Sequence, residues 1–302
     1  MGAGELSIFA AMVTYDPSNW FRALALHRSD TFRKLLPALV GIGLYAWLIA
    51  YLELERFGLS KEHHVSNITV MHSLLGFALS MLLVFRTNTA YDRWWEGRKL
   101  WGQLVNVSRN LAVKLSVYVD PSDTATRVFF AKLIGMNAHE LRRHLQREST
   151  RLELDEQPHP ELTVDRSKHV PSQISGLLQQ RIMRLHRDGK LTGDQLIILN
   201  NEWAALLDIC GACERIKNTP IPYSYSAFLK KFIVIYTLTL PLGFVFDLGY
   251  IAIPVVIFIF YVLASLELIA EDIEDPFGLD SSDLPMDKLA TMIDQQVHEI
   301  LA

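Results

Sequence analysis

Three short stretches carry residue types suited to metal or redox chemistry. In "HELRRH" at 139–144 the spacing differs from that of a zinc-protease helix, because His139 and His144 stand at i and i+5. On an α-helix that puts them about 140° apart, whereas a shared metal needs i and i+4. A solvated helix face is the expected role. "CGAC" at 210–213 holds the only two cysteines of the chain, Cys210 and Cys213, at redox spacing. A redox pair of this kind follows a strand, and this one lies inside a helical run without a second CxxC to complete a zinc site. A buried, inert pair is expected. "EHH" at 62–64 lies in a connection between apolar runs and is expected to be solvated, with at most surface affinity for metal. Neither a phosphate-cradling GxxxxGK[ST] loop nor a G-x-S-x-G elbow occurs. The sequence gives no reason to expect an enzyme, and no metal site is certain.

The elements that would position any site divide between lipid and water. The chain has 302 residues, 50% of them hydrophobic and 21% charged, and its mean hydropathy is +0.18. Those values lie between a soluble domain and a full transporter. A net charge of -4 argues against nucleic acid, which wants a basic face. The first residues, "MGAGELSIFAAMVTYDPSNW", place an acid and no base before a short apolar stretch, a poor signal peptide. Gly2 is no myristoylation site, since Leu6 stands where Ser or Thr is needed.

Four runs are long and uncharged: Leu35–Leu52, Asn67–Phe85, Phe232–Phe246 and Leu248–Leu266. A helix crossing a bilayer needs about 20 residues. The third run reaches that length if its helix starts at Tyr225 or Leu229. Only Asp247 separates it from the fourth, so the two are expected to form a tight hairpin. Basic residues set the orientation. Arg28, Arg33 and Lys34 precede the first span, Arg86, Arg93 and Arg98 follow the second, and Lys230 and Lys231 precede the third. Both termini and the 86–231 middle are thus expected in the cytosol.

That middle reads as helical. No proline interrupts 86–118, so the second span is expected to continue out of the membrane as a rod. "DPSD" at 120–123 breaks it and supplies N-caps for a helix over 124–147. Residues 148–171, with Pro158, Pro160 and Pro171, read as a loop, and a helix follows from Ser172 with Gly189 just past its end. Thr192 is placed to cap the next helix, and "TPIPY" at 219–223 turns into the third span. No internal repeat or low-complexity segment is present.

Within the second span Phe77, Met81 and Phe85 fall at i, i+4 and i+8, a stripe drifting about 40° per step. Two readings are open on the residues alone. The stripe packs against the other spans, or copies of it around an axis make a hydrophobic constriction that closes by dewetting. Beyond it, Arg86, Asp92, Arg93, Glu96, Arg98 and Lys99 alternate with Tyr91, Trp94, Trp95 and Trp101. These read as the outer faces of the rod, with tryptophans at the interface and charges pairing along the helix or between subunits.

"FRTNTAYDRWWEGRKLWGQLVNVSRNLA" from Phe85 resembles the bestrophin family, whose second helix carries F-R-x-N-x-[AS]-Y-x-R-[FW]-x-E-[GA]-R-x-L-W-G at this place. "GACERIKNTPIPYSYSAFLKKF" at 211–232 is similar to the family's approach to the third span. "AEDIEDPFGLDSSDLPMD" at 270–287 is similar to its acidic segment after the fourth. The resemblance covers nearly the whole chain, least at the ends and over 145–170. It implies an all-α membrane protein with four transmembrane helices per subunit and a large cytosolic helical bundle, assembled as a homopentamer around one pore. The corresponding segments are 1–34 cytosolic, 35–85 spans one and two, 86–224 cytosolic, 225–268 spans three and four, and 269–302 a cytosolic acidic segment. The implied partners are further copies of the chain, membrane lipids and small monovalent ions.

The resemblance favours the constriction, because the family's neck residues match Phe77, Met81 and Phe85. Met81 is longer than the β-branched or aromatic residue often found there. It also places Asp194 at or beside a lower, cytosolic aperture where relatives often carry a bulky apolar residue. A ring of carboxylates there would favour cations, and the alternative is a first-turn acid facing the helix dipole. Passive conduction of anions such as chloride follows from the family. The shortness of the chain looks like the bacterial type, for which sodium-type cation selectivity is the alternative. A membrane-anchored helical scaffold or signalling protein remains as a rival of another class.

For calcium, the family's belt matches side-chain ligands at Asp280 and Asp283 and a backbone ligand at Asp275, with Asp272 in place of an amide ligand. Ca²⁺ takes roughly six to eight oxygens. Ser281 and Ser282 interrupt the acidic run, and the N-terminal segment matches only at "VTY", 13–15. Calcium-independent gating is the expectation, the segment keeping a structural role. The alternative is an acidic turn in which Asp280 and Asp283 cap the next helix.

Overall fold

The computed structural model describes residues 31–56, 68–146, 164–280 and 282–302. Gly2, Leu6, "VTY" at 13–15, Arg28, "EHH" at 62–64, Pro158, Pro160 and Ser281 lie outside them. Among the described residues all regular structure is helical. In order these are α1 (Thr31–Tyr51, prolonged by a π-turn at Leu52–Arg56), α2 (Ile68–Tyr118), α3 (Thr124–Gln146), α4 (Val170–Arg187), α5 (Gly193–Asn218), α6 (Tyr223–Leu248), α7 (Ala252–Glu274) and α8 (Met286–Leu301).

Two compact units result. The first comprises, of the described residues, 31–56, 68–93 and 220–274, and the second 94–146, 164–219, 275–280 and 282–302. In the first unit α1 packs on α6 and α7, and α6 on α7. Leu39, Leu79, Leu83, Leu229, Ile233 and Phe260 form its main core. Small residues let the helices approach closely, as lipid-embedded helices require. Ala46 and Ala50 of α1 are fully covered, and a Cβ on Gly76 of α2 would lie 2.6 Å from the Tyr236 hydroxyl of α6. Pro241 lies within the continuous α6, and the Leu238 carbonyl of that helix accepts from the Tyr45 hydroxyl at 3.0 Å. The α6–α7 hairpin turns at Gly249, whose φ of 57° suits glycine.

By length and composition four stretches are apolar enough to cross a membrane: Thr31–Arg56, Val70–Tyr118, Gly193–Asn218 and Tyr223–Glu274. The last contains both α6 and α7. The third is α5, whose Leu199, Leu206, Ile209, Cys213 and Ile216 are buried in the second unit's core. It also carries Asp194, Glu202, Asp208, Glu214, Arg215 and Lys217. Many of its apolar residues are covered by protein, which leaves α1, the apolar start of α2, α6 and α7 as the apolar helices that match the four runs read from the sequence.

In the second unit α3 lies against α8, α4 and α5. Phe130, Ile134, Ala138, Leu141 and Leu145 recur on one face of α3, the period of a core-facing helix. Asp123 caps α3 through the Thr126 amide at 3.2 Å and accepts from Lys190 at 2.8 Å. The Lys190 bond and those from Thr126 hold its carboxyl down to about 2. Helix α4 begins at Val170 with His169 as N-cap, so Pro171 lies in its first turn and not in a preceding loop. That position suits proline, whose missing N–H has no partner there anyway. Gly189 follows its end at φ 71°, and Thr192 with Gln195 forms a capping box for α5.

Candidate functional site

Helix α2 is one unbroken helix of 51 residues. Its two sides near the end of the span differ sharply. Leu79, Leu83, Arg86 and Ala90 are at most 1% exposed, whereas Phe77, Met81 and Phe85 are 69%, 42% and 57% exposed. The chain's own spans cover one side of α2 and leave the aromatic stripe bare. Packing of the stripe against the other spans of the same chain is therefore not what is found.

The buried side is pinned electrostatically. Arg86 Nη2 donates to Glu274 Oε2 at 2.7 Å, and its Nε lies 3.6 Å from Glu267 Oε2. Glu274 Oε1 accepts from the Ile221 amide at 2.7 Å, and its carbonyl accepts from Arg93 Nε at 3.0 Å. The Tyr225 hydroxyl donates to the Leu82 carbonyl at 3.0 Å. This clasp fixes the rotation of α2 against α7 and the start of α6, and with it the direction in which Phe85 points. Arg86 is thus not on an outer face, as the sequence led us to expect, because its guanidinium is committed to two acids of α7. Trp101 is also fully buried, within the second unit's core. Tyr91 and Trp95 are exposed. Glu96 pairs with Arg215 of α5 at 2.5 Å.

Asp194 lies in the first turn of α5 and is exposed. One turn on, Ile197 and Ile198 are 67% and 41% exposed, apolar side chains left uncovered in a helix that otherwise buries its apolar residues. They share the face of Asp194 at i+3 and i+4. Sequence reading missed them, although an Ile-Ile pair in the second turn after a capped start was visible.

The acidic segment is docked by its aromatic residue. Phe277 is fully buried, and a Cβ on Gly97 of α2 would lie 3.2 Å from its ring. Trp94 Nε1 donates to the Ser282 carbonyl at 3.0 Å. Asp275 pairs with Lys217 at 2.8 Å, and in the first unit Asp272 pairs with Lys34 at 3.0 Å. Asp283 Oδ2 accepts from the Asp280 amide at 2.6 Å and closes the turn. Neither caps α8, which starts after Pro285 without a side-chain cap. Asp275, Asp280 and Asp283 form no group of converging side-chain ligands among the described residues. Of the side chains matched as calcium ligands, Asp272 is engaged by Lys34 and Asp283 by the Asp280 amide.

Cys210 and Cys213 are buried free thiols, and desolvation pushes both up to about 12. Thiols so held are poor nucleophiles and poor metal ligands at neutral pH. His139 and His144 do not converge. His144 instead meets His169 and Glu214, two residues that local spacing could not associate with it.

A family model described as "Bacterial/Fungal Bestrophin protein" matches residues 12–299. The chain is 30% identical over 293 residues to the voltage-dependent anion channel-forming protein RSc3414 of Ralstonia nicotianae, covering 96% of this chain and 94% of that one. It is 33% identical over 227 residues to the voltage-dependent anion channel-forming protein YneE of Escherichia coli O157:H7, covering 74% and 73%. A solved structure of a bacterial bestrophin homologue from Klebsiella pneumoniae superimposes with a TM-score of 0.79 at 26% identity, covering 89% of this chain and 99% of that one. The relatives' names are those of channel-forming proteins and not of enzymes. With a family match over nearly its whole length and four apolar spans, this chain is an integral membrane protein of the bestrophin family.

Proposed function

We propose that the chain is one subunit of a homopentameric channel that passes small monovalent ions passively through a hydrophobic neck. The observation that carries this reading is the bare stripe of Phe77, Met81 and Phe85, opposite a face of α2 that is wholly buried. Aromatic and thioether side chains ringed around an axis make a constriction that water leaves readily. A helix clamped as Arg86 clamps α2 holds such a ring at fixed rotation. Anion conduction follows the names of the relatives. The basic flanks at Arg33, Lys34, Arg86, Arg93, Lys230 and Lys231 support a reading in which both termini and residues 86–231 face the cytosol, with the four spans in the plasma or inner membrane.

Purified protein in liposomes should pass chloride or sodium down a gradient, equally in EGTA and in micromolar free calcium. The pairing of Asp272 with Lys34 and of Asp283 with the Asp280 amide supports that indifference. No flux from a folded, monodisperse oligomer would favour a membrane-anchored scaffold. A steep calcium dependence lost in Asp280→Ala or Asp283→Ala would make the acidic segment a sensor.

Cation selectivity is the second reading, favoured by the exposure of Asp194. If Asp194 rings an aperture beside Ile197 and Ile198, Asp194→Asn lowers the cation-to-anion permeability ratio roughly fivefold, about 1 kcal/mol of Coulomb attraction in a watery site. Bi-ionic reversal potentials measure this. An unaltered ratio would leave Asp194 as a first-turn acid serving its helix dipole.

A further inference from the structure

We propose that His144, His169 and Glu214 bind a transition-metal dication of the zinc class and thereby staple α3, α4 and α5 together. His144 comes from the last turn of α3, His169 is the N-cap of α4, and Glu214 lies near the end of α5. Each imidazole Nε2 lies 2.6 Å from the same carboxylate oxygen, Oε1 of Glu214. The two rings stand edge to face with centroids 4.6 Å apart. One ligand atom from each residue lies within 4.8 Å of the other two.

The ligand chemistry selects the ion. Two imidazoles and one carboxylate suit zinc and its neighbours, whereas calcium and magnesium take oxygen donors. With metal–ligand bonds of about 2.0–2.1 Å, ligand atoms of a tetrahedral site are about 3.3 Å apart. The two 2.6 Å contacts must therefore open by well under one ångström. The side chains are about one-third exposed, at 30%, 35% and 29%, which allows that movement and leaves a fourth position open to water.

The surroundings of His169 hold its ring in a ligating orientation. Its Nδ1 accepts from the Ser172 backbone amide at 3.2 Å and lies 2.6 Å from Ser172 Oγ. Nε2 is thereby aimed at Glu214. When Nε2 takes the metal, the ring's proton resides on Nδ1, and Ser172 Oγ turns from donor to acceptor. Nδ1–H then bonds Ser172 Oγ, while the Ser172 backbone amide gives up the acceptor it has on Nδ1. Such outer partners fix the orientation of metal-bound histidines.

Zinc binding tests this without any ion flux, so its outcome is separate from that of the channel reading. The full-length protein, free of any histidine tag and carrying His63→Ala and His64→Ala, is titrated with zinc by calorimetry. One zinc per chain is expected. His144→Ala, His169→Ala and Glu214→Gln should each weaken it by about 100-fold or more, and Ser172→Ala by roughly 10-fold. Cobalt added to the protein with an intact cluster should give the intense visible bands of a tetrahedral ion, and zinc should abolish them. That readout holds even if a variant fails to fold. Unchanged zinc affinity in all three ligand variants, or cobalt bands of an octahedral ion, would overturn the site and leave a hydrogen-bonded trio.

Discussion

Replacing Phe77, Met81 and Phe85 together by alanine is expected to raise ion flux through reconstituted protein by on the order of tenfold, a barrier lowered by about 1.4 kcal/mol. The chain leaves this stripe uncovered, while Leu79, Leu83, Arg86 and Ala90 on the opposite side of α2 are buried. Truncating side chains that are 42–69% exposed opens no cavity inside the subunit, so its fold should persist. Wider, less apolar rings hold water more readily, and ions cross where water stays. Flux is measured in liposomes alongside the oligomer's elution profile. An unaltered rate in a correctly assembled triple variant would place the resistance of the pore elsewhere.

The second large effect concerns Arg86. Arg86→Met leaves Glu267, itself buried, and Glu274 without their cation. Removing one partner of a buried ion pair costs roughly 3–5 kcal/mol, mostly because the remaining charge has no compensation. The unfolding midpoint in detergent is therefore expected to fall on the order of 10 °C. Combining Arg86→Met with Glu267→Gln and Glu274→Gln should recover a good part of that loss, since no bare charge then remains. A midpoint that stays level in the single variant, or a triple variant no better than the single, would show that the clasp does not hold α2. Arg86→Lys should fall between, because a point charge replaces a fork that serves both acids.

Much of the architecture was legible because it is written locally. Apolar runs of bilayer length, proline-free continuity over 86–118, Asp123 and Thr192 as caps and Gly189 past a helix end each depend on neighbours a few residues away. Composition alone misleads at α5, which is apolar enough to span a membrane yet spends that apolarity on α3 and α4. The misplacement of Arg86 and Trp101 has the same origin. A charge pattern along one helix gives no sign that an acid 188 residues away will meet one of its arginines.

Four runs apolar and long enough to cross a bilayer, the helical continuity over 86–118 and the shared stripe of Phe77, Met81 and Phe85 all follow from residue order alone. Helical periodicity fixes which residues lie on one face, and the length and apolarity of a run fix whether it can cross a bilayer. Which face is buried was decided only in three dimensions. It depends on Glu267 and Glu274 reaching Arg86, on Tyr225 reaching the Leu82 carbonyl, and on Phe277 settling against Gly97. The meeting of His144, His169 and Glu214 is of the same kind, since three helices supply one residue each. Spacing within a single helix carries no information about a contact that exists only once the helices have packed.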